Sequence, residues 1–493
     1  MTPTPKSSLP AYDQVIVDIA DYVFDFEIEG EKAWASARTA VLDAVGCAIE
    51  SVAKSADLRK FIGPIVPGST VPDGFRLPGT SYQLDPVKGA FDLGTMIRYL
   101  DHNDALAGAD WGHPSDNLGA LLAVMDWLCR SAASGKLVHT GPPLTMHTFL
   151  VATIKVYEIQ GCFLLRNAFN AFGLDHTILV KLASTAVVSW LLGMSRTQTM
   201  AAISHVWMDV APLRVYRAGS NTIPRKGWAA GDACMRAVQF ALLVLHGQPG
   251  SPTVLTMPRW GFYASTWRGN PPFQFPKPYS TWVIENIFYK VMPVEGHGIA
   301  AVEAAVVQGK KLRARGLTPA DISRIEIRTN AAANMIINKR GQLYNAADRD
   351  HCMQYVVAVA LLKGSAPEAT DFQDGSEYVS SPQVEALREK IEVRPDEELT
   401  KDYMNLDKKS IPSALTVYLA NGDVLDEVLV EFPLGHMENP GTASTVRSKF
   451  HKNMSLMFSE EEIRDVEKSV MQGGQISISN FLDQLARGSG PKL

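Results

Sequence analysis

The chain of 493 residues has few cysteines and no arrangement of them that would hold a cluster. No C-x-x-C pair occurs, so neither a zinc knuckle nor the loop of an iron–sulfur cluster is indicated. The odd number and wide scatter also argue against a disulfide framework. We expect reduced, mostly buried thiols at Cys47, Cys129, Cys162, Cys234 and Cys352.

Long apolar runs and an excess of one charge are missing too. The longest apolar stretches fall well short of the ~18 residues of a membrane span. The first residues show neither an apolar signal core nor an Arg-rich transit pattern. A formal net charge of −5 gives no electrostatic footprint for nucleic acid or an anionic membrane. We therefore expect a cytoplasmic protein without nucleic-acid or membrane partners. A mitochondrial location is the alternative if the source is eukaryotic, but the sequence shows no clear transit peptide.

Common cofactor and nucleophile motifs are absent as well. The chain contains no H-E-x-x-H, no P-loop, no G-x-G-x-x-G after a strand and no G-x-S-x-G. These absences disfavour a zinc hydrolase, a nucleoside triphosphatase, a dinucleotide-dependent enzyme and a serine hydrolase of that type. We expect no cofactor and no metal.

The chain is too long for one hydrophobic core, so two domains are expected. Residues 11 to about 270 contain long segments with apolar residues at i, i+3, i+4 and i+7, the pattern of helices. A Pro-rich break at 271–280 then ends this pattern. The sequence predicts a mainly α fold, in which a large all-helical domain (1–275 and 437–493) carries an inserted, smaller α+β lid domain (276–436).

The inserted part shows both helical and strand patterns. Residues 323–329 and 389–396 alternate like strands, and 411–432 form a hairpin with Asn421-Gly422 as its type I′ turn. Residues 347–364 are typical of one continuous helix. In the C-terminal part, Ser459 and Glu462 form a capping box at the start of a helix.

Residues 99–119 form the densest polar cluster of the chain. Gly108, Gly112 and Pro114 break helical structure there, so the cluster lies on a loop between two apolar helices. Such loops often carry functional groups on a rigid scaffold. The alternative is a solvated acidic turn. The polar residues in this loop are Asp101, His102, Asp104, Asp110, His113 and Asp116.

Four further clusters join this loop. Asp175-His176 lies at a helix start, where the helix dipole favours the neutral imidazole that a base needs, although a capping or core histidine is equally typical. Four cations between 214 and 226 favour anion binding over a random basic loop. The clusters are Asp175 and His176; Arg214, Arg217, Arg225 and Lys226; Lys290, Glu295 and His297; Asp348 and His351.

These clusters indicate a small polyanion held by cations, with Asp and His transferring protons. Asp348 is more typical of a helix cap than of a substrate contact. A metal site from Asp101, Asp104 and His113 is conceivable, but no compact ligand spacing supports it.

The chain resembles the 2-methylcitrate dehydratase family (MmgE/PrpD), which also includes cis-aconitate decarboxylase and iminodisuccinate epimerase. The resemblance covers nearly the whole length. It rests on LDAVGCAIE, GPIVPG, WGHPSDNLG, EIQGC, GLDH, RKGWAAGDA, WGFY, ADRDHCMQY and EFPLGH. The motifs WGHPSDN and RKGWAAGDA resemble most the citrate-type dehydratases of the family.

The resemblance implies a helical domain with an α+β lid, a site between the two, and a homodimer. It places the family's catalytic residues on Asp101, His113, His176 and Lys226, with Lys226 binding a carboxylate. Lys290 matches a lysine on the lid, and His297 matches less securely. Combined with the clusters above, the expected substrate-binding set is Asp104, Ala105, Arg214, Arg217, Arg225, Lys290, Glu295, Gly296 and His297.

Two departures from the relatives bear on the substrate. Ala105 stands where relatives commonly have Thr, and Gly296 stands where citrate-type enzymes have Phe. If both face the substrate, they widen the pocket and favour a longer alkyl chain.

The expected function is a hydro-lyase that dehydrates 2-methylcitrate or a longer 2-alkylcitrate by metal-free acid–base chemistry. One alternative within the family is decarboxylation of cis-aconitate. Another is a non-catalytic member that binds a tricarboxylate; Ala105 supports it, and the retained Asp101, His113, His176 and Lys226 count against it.

Overall fold

A computed structural model describes residues 10–210, 212–217, 222–268 and 270–487, and it is mainly α. The helices are α1 Gln14–Asp25, α2 Glu31–Lys54, α3 Ala56–Arg59, α4 Pro86–Arg98, α5 Leu118–Ala133, α6 Met146–Leu164, α7 Thr177–Leu191, α8 Arg196–Asp209, α9 Arg225–Leu245, α10 Phe262–Ser265, α11 Trp282–Glu285, α12 Ile299–Ala314, α13 Ala331–Ile337, α14 Ala346–Arg349, α15 Met353–Lys363, α16 Pro382–Lys390, α17 Glu397–Met404, α18 Thr442–Met454, α19 Glu460–Gln472 and α20 Ile478–Leu485.

Two small sheets are also present among the described residues. A short antiparallel pair joins β1 to β2, and a four-stranded sheet has the order β4-β3-β5-β6. In the larger sheet β3 pairs in parallel with β4 and antiparallel with β5, which pairs antiparallel with β6. The strands are β1 Phe75–Arg76, β2 Gln83–Leu84, β3 Ile322–Thr329, β4 Ile391–Pro395, β5 Ser413–Leu419 and β6 Val424–Val430.

The described part of the chain forms two hydrophobic cores. The first is formed by α1, α2 and α4–α9 together with α18–α20, with Phe163 and Phe481 fully buried in it. The second lies between α12, α15 and the four-stranded sheet, with Val302 and Ile327 fully buried. The C-terminal helices thus rejoin the first core after the chain has formed the second, because α18 packs on α2.

Several local predictions are confirmed. The long apolar segments before residue 250 are helices, and Ser459 and Glu462 make the capping box of α19. All five cysteines are free, and four of them are buried.

Two local predictions are wrong. The continuous helix expected over 347–364 is broken, since α14 ends at Arg349 and α15 begins at Met353. The hairpin turn is not type I′, which needs positive φ at both central residues. Gly422 has φ +93° and Asn421 does not have a positive φ. Leu419 donates its N–H to the carbonyl of Asp423 over 2.8 Å, so the loop has three residues and ends in a glycine bulge.

Helix α9 is long and apolar enough, by length and composition, to cross a membrane, but 56% of its apolar window is buried inside the protein. It packs on α4, α5, α7 and α8, as the core helix of a globular domain does. Its apolar character is therefore explained by this packing.

A close crossing of α4 and α5 fixes the two ends of the loop over residues 99–117. A Cβ atom at Gly119 would lie 2.4 Å from the backbone nitrogen of Gly94. The two glycines therefore allow the helices to approach at backbone distance and set the span that the loop must bridge.

We expect Gly119→Ala to lower the free energy of unfolding by about 1–3 kcal/mol. The added methyl group would clash with the backbone of Gly94, which can move only if helix α4 moves with it. Denaturant unfolding measures this change. Gly474→Ala is the matched control, since a Cβ there has no neighbour within 4 Å. Equal midpoints for the two variants would show that the crossing tolerates a wider separation.

Candidate active site

The polar loop over residues 99–117 is folded into the protein interior. Asp104 is fully buried, and its carboxylate accepts hydrogen bonds from the Ser115 backbone and hydroxyl and from the Tyr157 hydroxyl. Asn103 donates to Asp116 over 2.9 Å. Burial raises the pKa of Asp104 to about 6. The alternative of a solvated acidic turn is wrong.

A small cavity of about 30 Å³ lies between this loop and the part of the chain that forms the second core. It has room for one or two water molecules. Four cations and two carboxylates line it within the described residues. The lining residues are Arg98, Asp101, Trp111, His113, His176, Arg214, Arg217, Lys290, Glu295, Ile336 and His351.

Asp101 is the most enclosed acid at this cavity. It is fully buried with φ +55°, ion-paired to Arg98 and 2.9 Å from the Nζ atom of Lys290. Lys226 Nζ lies 3.6 Å away. Burial alone would raise the pKa of Asp101, but these three cations hold it well below its usual range. Asp101 is therefore ionised at neutral pH and is a poor proton donor.

His113 lies at the cavity with a defined tautomer. Its Nδ1 atom is 2.7 Å from the carbonyl oxygen of Asp104, which can only accept, so Nδ1 carries the proton. Within the described residues Nε2 makes no hydrogen bond and keeps its lone pair. Burial and the neighbouring Arg98 and Lys290 lower the pKa of His113 well below its usual value. The ring is thus a neutral acceptor, which is what a general base requires.

His176 lies beside His113, with ring centroids 5.7 Å apart. Its Nδ1 atom is buried without a hydrogen-bond partner in the described part of the chain, and Asp175 Oδ1 is 3.4 Å away. Burial lowers the pKa of His176 to about 3. Asp175 is instead engaged by Arg217, whose Nε donates to it over 2.7 Å.

Arg214 and Arg217 bring positive charge to the same wall. Arg217 is neutralised by Asp175, whereas the nearest carboxylates to Arg214 Nη1 lie 3.7 and 3.8 Å away. Arg214 Nη1 is buried and has no hydrogen-bond partner among the described residues. An unpaired guanidinium donor at a cavity is suited to a carboxylate ligand.

Lys226, which the resemblance expects to bind a carboxylate, does not line this cavity. Its Nζ atom donates to both oxygens of Asp350, at 2.8 and 2.9 Å, and lies 3.1 Å from His351 Nδ1. Burial raises the pKa of Asp350 to about 6. Asp101, Asp350 and His351 could in principle hold a metal ion, because one potential ligand atom from each lies within 4.8 Å of the others. In this structure the Lys226 ammonium instead contacts Asp350 and His351 at hydrogen-bond distance. Among the described residues, Asp101, Asp104 and His113, the set considered and set aside in the sequence, do not converge in this way.

Glu295 lines the cavity and is hydrogen-bonded to His297, which lies on the side of Glu295 away from the cavity. Glu295 accepts from the backbone N–H of His297 and lies 3.0 Å from its Nδ1, and His297 Nε2 is 3.2 Å from the Tyr403 hydroxyl. Burial would raise the pKa of Glu295, but His297 lowers it to about 2. His297 therefore orients a lining residue and does not itself line the cavity.

Gly296 does not widen the cavity, and this correction removes one argument for a longer substrate. A Cβ atom at Gly296 would lie 2.3 Å from the indole of Trp111. The space of the missing side chain is filled by that ring, which itself lines the cavity.

Three other expected contacts also fall outside the cavity lining. Ala105 is buried in the second core and exchanges backbone hydrogen bonds with Phe288. Asp104 lies behind His113, as described above. Arg225 stacks on the Trp228 ring at 4.2 Å and is partly exposed. The cavity lining thus includes Asp101, His113, His176, Arg214, Arg217, Lys290 and Glu295 of the expected set.

Sequence reasoning missed four lining residues or gave them little weight. Arg98 ends α4 three residues before Asp101, a spacing typical of an ion pair. His351 lies in the break between α14 and α15, which the pattern did not show. Trp111 and Ile336 carry no signal that separates them from core residues.

Lys449 of α18 holds two segments of the site together from behind. Its Nζ atom donates to the carbonyls of His102 and Lys290, each over 2.6 Å, and pairs with Asp43 at 2.7 Å. Neither carbonyl belongs to its own helix. The C-terminal part thereby fixes the backbone next to Asp101 and that of Lys290.

Comparison with known proteins decides the family. The MmgE/PrpD N-terminal domain model matches residues 17–274, and the MmgE/PrpD C-terminal domain model matches residues 292–472. The chain belongs to the MmgE/PrpD family.

Similar proteins cover nearly the whole chain. Alkylcitrate dehydratase phiI of Fungal sp. (strain ATCC 74256) is 58% identical over 97% of this chain and 95% of its own length. Alkylcitrate dehydratase phiI of Talaromyces stipitatus is 51% identical over 97% of this chain and 98% of its own. The 2-methylcitrate dehydratase of Escherichia coli strain K12 is 45% identical over 96% and 97% respectively.

We expect Asp101→Asn to destabilise the protein by about 3–5 kcal/mol at pH 7, because it leaves buried cations without their counter-ion. The pKa of Asp101 is depressed in the folded state, so its contribution is present above its unfolded pKa of about 4 and is lost as the pH falls through the folded pKa. The difference from the wild type should therefore shrink below about pH 4.

Denaturant unfolding across this pH range measures the effect. Asp465→Asn, at an exposed position of α19, is the control and should change stability by less than about 0.5 kcal/mol. A pH-independent deficit in Asp101→Asn would mean that packing, not charge, is responsible.

Proposed function

We propose that this protein is a hydro-lyase that dehydrates 2-methylcitrate or a longer 2-alkylcitrate to the corresponding alkyl cis-aconitate. The names of the relatives give the reaction. The observation that carries it to this chain is the cavity itself. Four cations outnumber the two lining carboxylates there, Asp175 offsets only Arg217 among them, and His113 beside them is neutral with a free Nε2. Such a site attracts a tricarboxylate and can take a proton from it.

The substrate loses a proton from a carbon next to a carboxylate, and that proton is weakly acidic. In our proposal His113 Nε2 takes this proton, and the electron pair moves into the adjacent carboxylate. Arg98, Arg214 and Arg217 stabilise the added negative charge. The double bond then forms as the carbon–oxygen bond breaks.

The leaving hydroxyl must gain a proton to depart as water. Arginine does not release one, and Asp101 is ionised. Lys290 lines the cavity, and burial lowers the pKa of its ammonium, which makes it a better acid than an exposed lysine. We assign the proton donor to Lys290, with Asp101 holding it in place.

We also propose that the part of the chain around the second core acts as a lid. A cavity of about 30 Å³ cannot admit a tricarboxylate, so the walls must part before substrate enters. Lys226 comes from the helical part and Asp350 from the inserted part, so their ion pair spans the two. Separation of the two cavity walls would break this ion pair and free Lys226 to bind a substrate carboxylate.

Dehydration should need no added metal, because the proposed steps use only His113 as the base, Lys290 as the proton donor and the lining arginines as charge stabilisers. We expect full activity after exhaustive treatment with a chelator. Loss of activity on chelation, restored by iron, would contradict this.

The direct test supplies 2-methylcitrate and longer 2-alkylcitrates and follows absorbance of the unsaturated product. Release of CO₂ from cis-aconitate, without dehydration of any citrate, would support the decarboxylase instead. Tight binding without turnover would support a non-catalytic binder.

We expect His113→Gln to lower kcat/KM by about 10²–10⁴, the usual range for a lost general base. Because burial lowers the pKa of His113, its protonation should not reduce kcat/KM of the wild type near pH 6.5, the usual pKa of a histidine, after allowance for ionisation of the substrate. Activity is lost only when the pH falls through the depressed pKa.

Steady-state kinetics from pH 5 to 8 measure both effects. His246→Gln, at an exposed position after α9, should leave kcat/KM and the melting temperature unchanged. If His113→Gln lowers the melting temperature substantially as well as kcat/KM, His113 is a structural histidine and the assignment as base is wrong.

A further inference from the structure

A second cavity, which we call the side cavity, lies next to the catalytic cavity. Its volume is about 300 Å³, ten times that of the catalytic cavity. Asp57 and Asp374 line the side cavity and are exposed, so the cavity opens to solvent where these two residues lie. Its apolar walls include Tyr99, Leu100, Pro224, Ala346, Ala347 and Phe372.

The two cavities are neighbours along the same backbone segments. Leu100 lines the side cavity and Asp101 the catalytic cavity, and Asp350 and His351 are divided in the same way. Lys226 and Asp350 line the side cavity, and Lys226 Nζ is also 3.6 Å from Asp101. The Lys226–Asp350 ion pair is therefore part of the wall between them.

An alkyl substituent has no place in the catalytic cavity. That cavity is lined mainly by charged and imidazole side chains, and Trp111 fills the space at Gly296. A methyl group demands little room, but a longer chain needs an apolar surface of its own. The side cavity offers such a surface.

We propose that the side cavity is the subsite for the alkyl chain of the substrate and sets the preferred chain length. This inference rests on the proposed dehydratase function. When Lys226 leaves Asp350 for a substrate carboxylate, the wall opens and the chain passes beside Lys226 into the side cavity. Each methylene that leaves water there strengthens binding about fourfold.

The test compares 2-methylcitrate with 2-hexylcitrate as substrates of the wild type and of two variants that fill the side cavity. Ala347→Phe adds a ring from α14. Gly375→Leu adds a side chain where a Cβ atom has no neighbour within 4 Å, so it tests the same space with little risk to folding. Ala35→Phe, at an exposed position of α2 away from both cavities, is the matched control.

We expect the wild type to favour 2-hexylcitrate in kcat/KM by at least tenfold. Both filling variants should lower kcat/KM for 2-hexylcitrate at least tenfold and leave 2-methylcitrate within about twofold, while Ala35→Phe changes neither. A wild type that prefers 2-methylcitrate, or filled variants that keep the wild-type ratio of the two substrates, would overturn the subsite. If the wild type dehydrates neither substrate, the proposed function fails, and the subsite fails with it.

Discussion

The buried negative charge of Asp101 is the constraint on which the rest of the site depends. Arg98, Lys290 and Lys226 are taken out of water around it, and each would be costly to bury without a counter-ion. One carboxylate cannot neutralise three cations, so the site keeps a positive surplus. Asp350 offsets part of it at Lys226. What remains at the cavity is a preformed place for an anion.

Much of the fold follows from local pattern. Long segments with helical periodicity became α2, α4–α7 and α9, because each has an apolar face that the first core buries. The hairpin strands and β3 were visible as alternation. The break between α14 and α15 was not visible in the sequence, since residues 347–364 carry helical periodicity throughout. The break is held by tertiary contacts: Asp350 bonds Lys226, and its carbonyl accepts from the N–H of Glu295.

The candidate site was predictable in its composition but less so in its geometry. Charged residues crowded into one loop indicated chemistry, and His113 and Lys290 do line the cavity. Sequence could not show that Lys226 turns to Asp350, because the two are 124 residues apart. Nor could it show that Trp111 occupies the space at Gly296. A missing side chain makes room only if no neighbour fills it.

The contact of Lys449 with the backbone of His102 has a consequence for the order in which the protein is made. The two residues are 347 positions apart, so at ordinary synthesis rates the loop waits roughly 20 to 70 s for its partner. During that interval Asp43 also lacks Lys449, the cation that it pairs with in the folded protein. A chain that stops short of α18 would therefore lack the contact that fixes the backbone of His102 and Lys290.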